Sequence, residues 1–316
     1  MTELLDRTSF TYSIVIPVFN SEPIVGDTID RVIDAFTGAG LRYELILVND
    51  GSSDGSWQVI SERAARLPNV VALNLMRNYG QHHANLAGMT EATGDYVITM
   101  DDDLQNPPDQ ALVLIDAAMA GHDVVFGRFE QKQAGGVRKL GSKLIGLMNS
   151  RIFAKPADLV VSNFRILRRD VVARIIGSRT SFPYITGQAL LFSGDRANVL
   201  VRHDPRPVGK STYSLGRILR LVLTILFSYS SWPLRAAAAL GFAISALSFL
   251  LGGFLVVRAL VSDEIVQQGW TSVMVLVSLF AGFIIALISM IGEYVVRTLQ
   301  TVSTEHTFHV VQRVGR

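Results

Sequence analysis

Residues 13–50 read SIVIPVFNSEPIVGDTIDRVIDAFTGAGLRYELILVND. Ser13–Val18 and Glu44–Val48 are short runs rich in β-branched and apolar side chains, and between them Ile29, Val32, Ile33 and Phe36 recur at helical spacing. A strand, an amphipathic helix and a second strand make a βαβ unit, whose strands pair in parallel while the helix lies on the sheet. The pattern continues outward: Val70–Leu75, Tyr96–Met100 and Asp123–Phe126 are further candidate strands, and Trp57, Ile60, Ala64 and Leu67 form another apolar helical stripe. Residues 13 to about 206 are therefore expected to form an α/β domain on a mostly parallel sheet, with these apolar residues as its core.

Composition narrows the function classes. The 316 residues are 49% hydrophobic, which is apolar for a soluble enzyme and leaves material for membrane contact. The 29 Lys plus Arg against 27 Asp plus Glu give a formal charge of +2, too balanced for a protein built to coat nucleic acid. With no cysteine, a disulfide framework, a thiolate metal site and a cysteine nucleophile are excluded. Residues 1–12 carry Glu3, Asp6 and Arg7 with no apolar stretch, so no signal peptide is expected.

After Tyr213 the character changes. Ala236–Val257 carries no charge over 22 residues, as a helix roughly 33 Å, about the thickness of a bilayer's hydrocarbon core, and Thr271–Gly292 matches it. Two buried helices of a large soluble core are the alternative reading of these runs. Arg217, Arg220 and Arg235 precede the first run and Arg297 follows the second, while the intervening loop carries Asp263 and Glu264, so both ends of the chain are expected on the cytosolic side. Leu221–Ser231 is apolar but short and reads as a helix lying in the interface. The expected organisation is a cytosolic catalytic domain over 1–213, an interfacial helix region over 214–233, a two-helix transmembrane domain over 234–296 and a cytosolic tail over 297–316.

In parallel α/β sheets ligands bind beyond the carboxyl ends of the strands. Four segments after predicted strands are polar there: Pro17–Glu22, Asn49–Asp54, Arg77–His82 and Asp101–Pro108. Three adjacent carboxylates, Asp101, Asp102 and Asp103, repel one another unless a cation or protons compensate. Asp101 and Asp103 can turn toward one hard ion such as Mg2+ or Mn2+, an arrangement suited to a diphosphate leaving group. A solvated turn and helix N-cap ahead of Asn106-Pro107-Pro108 is the alternative. Asn49–Ser52 likewise reads either as a strand-ending turn or as a nucleotide contact in which Asp50 accepts from a base N–H. His82 and His83 read as polar neighbours of this crevice, ahead of a ligand role.

The ordered set SIVIPVFNSE (13–22), the Asn-Asp-Gly-Ser segment, RNYGQH (77–82), DDDLQNPP (101–108) and the paired apolar runs resembles the family 2 glycosyltransferases of the polyprenyl phosphate type, over nearly the whole chain. That group includes dolichyl phosphate mannose synthases, bactoprenol glucosyltransferases and undecaprenyl phosphate aminoarabinose transferases. The resemblance implies a Rossmann-like GT-A domain followed by an interfacial helix and two transmembrane helices. It implies that Pro17, Phe19, Asp50, Asp102 and Lys210 hold the nucleotide and that Asp101, Asp103 and Gln105 place a Mg2+ or Mn2+ ion and the donor diphosphate. Arg128, Arg138 and Ser142 match positions that receive the lipid phosphate, and Arg206 with Gly209–Tyr213 matches a loop closing over the donor phosphates. Two departures stand out: Ser21 precedes Glu22 where Glu often follows Asn directly, and Thr212 stands where Lys often precedes Tyr, leaving Lys210 to supply the charge.

The implied reaction moves a sugar from a nucleotide diphosphate donor to polyprenyl phosphate with inversion, at a cell (inner) membrane, by a homo-oligomer such as a tetramer and with no nucleic acid partner. A phosphate monoester, with its second pKa near ~6, needs no base before attack, so the expected work is positioning and charge stabilisation by Asp101, Asp103, Arg128 and Arg206. The arginines read alternatively as a basic face beside anionic lipid. A processive synthase and a non-catalytic sugar-lipid binding subunit are the competing assignments; a transporter is disfavoured because the apolar runs lack internal ionisable groups. The β-branched stretch Thr307–Val311 reads as a strand that adds to a neighbour.

Overall fold

The computed structural model describes residues 5–129, 146–178, 180, 182–204, 215–233 and 308–316, with scattered positions between 235 and 298. Eight strands form one sheet: β1 (Thr11–Val18), β2 (Arg42–Asn49), β3 (Val70–Leu75), β4 (Tyr96–Thr99), β5 (Val124–Phe129), β6 (Arg165–Arg168), β7 (Arg196–Val201) and β8 (Val310–Val314). Their order is β7-β5-β6-β4-β1-β2-β3-β8. The pairs β1–β2, β1–β4, β2–β3 and β5–β7 are parallel, whereas β6 runs antiparallel to both β4 and β5, and β8 antiparallel to β3. All five strands expected from the sequence form. Of the other three, β6 and β7 were not anticipated, and β6 carries Arg165 inside it, while β8 lies beyond the long apolar runs.

The helices are α1 (Glu22–Gly38), α2 (Ser56–Arg66), α3 (Gln81–Glu91), α4 (Asp109–Ala118), α5 (residues 146–153), α6 (Arg169–Gly177), α7 (Ile185–Phe192) and α8 (Leu215–Tyr229). Side chains alternate across a strand, and the two faces of β1 go to different partners. Ile14, Ile16 and Val18 join Val25, Ile29, Val32 and Phe36 of α1 and Leu114 and Ile115 of α4 in one apolar core. Val15, on the opposite face, meets α3, where a Cβ added at Gly88 would lie 2.3 Å from Val15 Cγ1; the absent side chain lets the helix sit directly on the sheet. The chain winds β1-β2-β3 in one direction and returns to β4 on the other side of β1. The strand order therefore reverses beside β1, and the carboxyl ends of β1–β4 share one edge of the sheet.

At the opposite edge Glu44 is a buried carboxylate. Its Oε1 accepts hydrogen bonds from Ser13 Oγ (2.6 Å), Thr93 N (2.6 Å) and Thr93 Oγ1 (3.0 Å), and its Oε2 accepts one from Arg316 Nη1 (3.2 Å). The carboxy-terminal residues are thereby tied to the sheet: β8 pairs with β3, Arg313 bridges to Glu91, and Gly315 takes φ 93° where an added Cβ would lie 2.2 Å from the Val70 carbonyl oxygen. The strand expected at Thr307–Val311 lies at Val310–Val314 and extends the chain's own sheet.

The chain divides into two compact units, Met1–Val222 with Thr304–Arg316, and Leu223–Ser303. In the second, the described positions are mostly helical, and Tyr294 OH donates to Ser230 O at 3.0 Å. Among the described residues no helix is long and apolar enough to cross a membrane. About half the residues of the expected spans 236–257 and 271–292 lie outside those described. Helical Leu247, Leu250, Phe254, Val257 and Val261, spaced by three and four, are all exposed, as are Ile284, Ile288, Ile291 and Val295.

Gly315→Ala is expected to unseat the tail and lower stability by more than about 1 kcal/mol, because alanine is strained at positive φ and has no room there. Comparing its denaturant midpoint with that of the parent checks this; equal midpoints would mean that the tail contributes nothing to the sheet.

Candidate functional site

The loops leaving β1, β2, β3 and β4 are laced together by hydrogen bonds. Asn20, at φ 51°, donates its amide N–H to Ser52 Oγ (3.0 Å) and accepts from Ser53 N through Oδ1 (2.8 Å). Ser21 N donates to Ser56 Oγ at 2.9 Å, and Glu22 Oε2 accepts from Gly55 N at 2.9 Å. Asp50 Oδ1 accepts from Tyr79 N (2.7 Å) and Oδ2 from Gly80 N (2.9 Å), which pins the β3 loop to the end of β2. Gly51 is required at this join: its φ is 66°, and a Cβ would fall 2.5 Å from the Arg77 carbonyl carbon.

The three aspartates part company after β4. Asp102 turns back to α1, where Oδ2 accepts from Ser21 Oγ and from Phe19 N (3.4 Å), while its carbonyl accepts from Thr28 Oγ1 (2.9 Å). Asp103, only 9% exposed, accepts from Gln105 N through Oδ1 (3.1 Å) across Leu104, which sits at φ 56°. Asp101 Oδ1 accepts from Gln81 Nε2, and Gln81 Oε1 in turn accepts from Asn163 Nδ2 (3.2 Å). The solvated-turn and N-cap alternative does not describe this geometry: Asp103 is buried, and α4 starts after Pro108 with no side-chain cap.

Crowding shows in the proton affinities. Burial, then the charges of Asp103 and Asp102, push Asp101 up from 3.8 to about 7, against the opposing pull of Arg165 and the Gln81 hydrogen bond. Burial also raises Asp102, and raises Asp50 despite its two amide donors. Arg165 is fully buried and stands opposite Thr99 of β4, two residues before Asp101. Its Nη1 donates to Thr186 Oγ1 (2.8 Å), and among the described residues its Nε and Nη2 have no hydrogen-bond partner; burial lowers it to about 10. A lone guanidinium thus lies behind the acidic triplet. His82, edge-on to Tyr184 (5.2 Å between centroids) and Phe182 (5.7 Å), is driven down to about 3 by burial, Arg165 and His83, so it is neutral near pH 7. That suits its reading as a polar neighbour of the site.

The donor set fits a divalent cation in one respect: Asp101 and Asp103 are adjacent, shielded carboxylates whose mutual repulsion such an ion would relieve. Among the described residues no group of three His, Asp or Glu side chains converges as a metal shell. Gln105 contributes its backbone, donating to Asp103 and accepting from Asp204 N (3.0 Å). Arg128 is exposed near the carboxyl end of β5, which runs in the same direction as β4 and so delivers it to the same sheet edge. Pro17 is buried within β1, opposite Val48, while the Phe19 ring is 47% exposed. Arg138, Ser142, Arg206 and Lys210 lie outside the described residues. Sequence reading placed Ser21 and Gln81 in the polar strand-end segments without giving either a role, and it missed Asn163 and Arg165; Arg165 carried a signal, a lone charge in the apolar run Phe164–Leu167.

Residues 13–176 match the model of glycosyl transferase family 2. The undecaprenyl-phosphate 4-deoxy-4-formamido-L-arabinose transferase of Proteus mirabilis is 33% identical over 96% of this chain and 94% of its own length, and that of Photorhabdus laumondii is 32% identical over the same shares. Among solved structures, glucosyl-3-phosphoglycerate synthase of Mycobacterium tuberculosis superposes with a TM-score of 0.50 at 16% identity, covering 69% of this chain and 78% of that one. The same enzyme in complex with Mn2+, UDP and phosphoglyceric acid gives a TM-score of 0.50 at 21% identity, covering 69% of this chain and 78% of that one. The fold is GT-A-like, and the chain belongs to glycosyl transferase family 2.

Proposed function

We propose that this glycosyltransferase moves a sugar from a nucleoside diphosphate sugar to a polyprenyl phosphate, with inversion and with a divalent metal, on a membrane surface. The observation that carries this reading is the pair of crowded carboxylates, Asp101 and Asp103, on the same sheet edge as the exposed cation Arg128, in a chain similar along almost its whole length to undecaprenyl-phosphate sugar transferases.

A bound Mg2+ or Mn2+ would supply charge stabilisation for the departing nucleoside diphosphate. Asp101 and Asp103 would hold it through carboxylate oxygens, with Gln105 fixing the turn of Asp103 through its amide. Asp102, committed to Ser21 and the Phe19 amide, shapes the nucleotide side of the edge, where Phe19 offers an exposed ring and the paired Asp50 holds the neighbouring loop. Arg128, joined by Arg138 and Ser142, orients the acceptor phosphate through bidentate hydrogen bonds. An acceptor phosphate oxygen forms the new bond to the anomeric carbon as the bond to the donor diphosphate breaks on the opposite face, which inverts the centre. Arg206 and Lys210 would offset the charge left on the nucleotide. Near pH 7 the acceptor is largely deprotonated, so no side chain need remove a proton.

Membrane attachment through residues 234–296, beside the interfacial helix at 214–233, is supported by the exposed apolar positions of the second unit, which water would otherwise cover. The same surfaces suit a homo-oligomer, in which the helical stripes pack between copies or face lipid.

Asp101→Asn and Asp103→Asn are each expected to cut metal-dependent transfer at least about 100-fold, followed as labelled sugar entering a lipid extract. Turnover that kept its metal dependence in either variant would remove that carboxylate from the ion. Arg128→Lys is expected to lose about 10-fold or more in transfer, because an ammonium cannot make the paired contact; a near-normal rate would assign Arg128 to general lipid attraction. The raised proton affinity of Asp101 also has a stability signature. Its folded value, about 7, exceeds the ordinary 3.8, so the folded state binds more protons between the two and metal-free stability falls as pH rises through that window. In chelator, Asp101→Asn should therefore melt above the parent at pH 8, with the margin shrinking toward pH 4; a margin independent of pH would contradict the crowding.

A further inference from the structure

We infer that Gln81 is a positioning residue that aims Asp101 at the metal, an inference that rests on the metal role given to Asp101 above. Gln81 is the first residue of α3, directly after Gly80, and Asp50 holds the Tyr79 and Gly80 amides at 2.7 and 2.9 Å, so the helix start is fixed to the end of β2. From there its side chain reaches two separate segments. Its Nε2 donates to Asp101 Oδ1 beyond β4, and its Oε1 accepts from Asn163 Nδ2 ahead of β6. An amide has a donor end and an acceptor end, and a carboxylate only accepts, so Asp101 takes the N–H end of Gln81 and leaves its Oε1 to be held by the Asn163 amide. Asp101 Oδ1 is thereby engaged, and Oδ2 is the oxygen that would hold the ion. The chain Asp50, loop 79–80, Gln81, Asp101 links the ends of three parallel strands, with Asn163 closing it from the far side.

A partner that orients a metal ligand typically changes metal affinity by roughly 10- to 100-fold when removed. The test measures Mn2+ binding to the purified full-length protein by the loss of the free-ion electron paramagnetic resonance signal, with no sugar donor or acceptor present. Gln81→Met keeps the side-chain length and removes both hydrogen bonds; Mn2+ binding is expected to weaken about 10-fold or more, with an unchanged melting temperature in chelator. Asn163→Ala is expected to weaken it less, and the double variant Gln81→Met/Asn163→Ala to bind no worse than Gln81→Met alone, since Asn163 acts only through Gln81. Parent-like Mn2+ binding in Gln81→Met, or additive losses in the double variant, would overturn the inference. Asp101→Asn separates the two readings: if it abolishes Mn2+ binding while Gln81→Met retains it, only the positioning role fails, and if neither changes binding, the metal role of Asp101 fails with it.

Discussion

Carboxylates that must share a shielded edge repel one another, and most of the architecture around β4 answers that repulsion. Asp101, Asp102 and Asp103 follow one another at a strand end, where extended geometry would turn neighbours to opposite sides. The chain spreads them further: Asp102 folds back onto Ser21 and α1, Asp103 is held by the turn through Leu104, and Asp101 is drawn toward Gln81. Arg165 sets a buried positive charge behind them. Its incomplete hydrogen bonding among the described residues shows that hydrogen bonds alone do not account for a cation in this place. What remains is a pair of shielded carboxylates, with the strain of their crowding visible in the raised proton affinity of Asp101.

The sheet makes this concentration possible. Strand order reverses beside β1, and at the carboxyl edge four loops converge from strands far apart in sequence. Their mutual hydrogen bonds are short-range and mostly between side chains and backbone amides, so each loop's shape depends on its neighbour. Asp50 illustrates the consequence. Its buried carboxylate holds the β3 loop by two amides, and any contact it makes to a nucleotide base adds to that structural duty.

The carboxy-terminal residues return to the first unit after the second. β8 covers the β3 edge, and Arg316 compensates the buried Glu44, so both the hydrogen-bonding edge and the buried charge are satisfied by a segment more than 200 residues away in sequence. The second unit carries exposed apolar side chains at helical spacing, a surface that calls for lipid or another protein.

The amino-acid order alone determined the α/β class, the first five strands and the location of the candidate site, because a period of two in strands and of three to four in helices is a local property, and strand-end loops are where such sheets bind ligands. It also singled out Asp101 and Asp103, since carboxylate crowding is legible in three consecutive letters. Only the tertiary structure decided that Asp50 serves a neighbouring loop, that Asp102 faces α1, that Gln81 and Asn163 hold Asp101, and that Arg165 lies behind the triplet. Each is a contact between residues 20 or more positions apart, fixed by strand order and register, and no local period encodes which strand lies beside which. The antiparallel strand β6 was hidden for the same reason: it is short, and its identity as a strand comes from the hydrogen bonds that β4 and β5 offer it, whereas for β8 the structure decided only that its partner is β3 of the same chain.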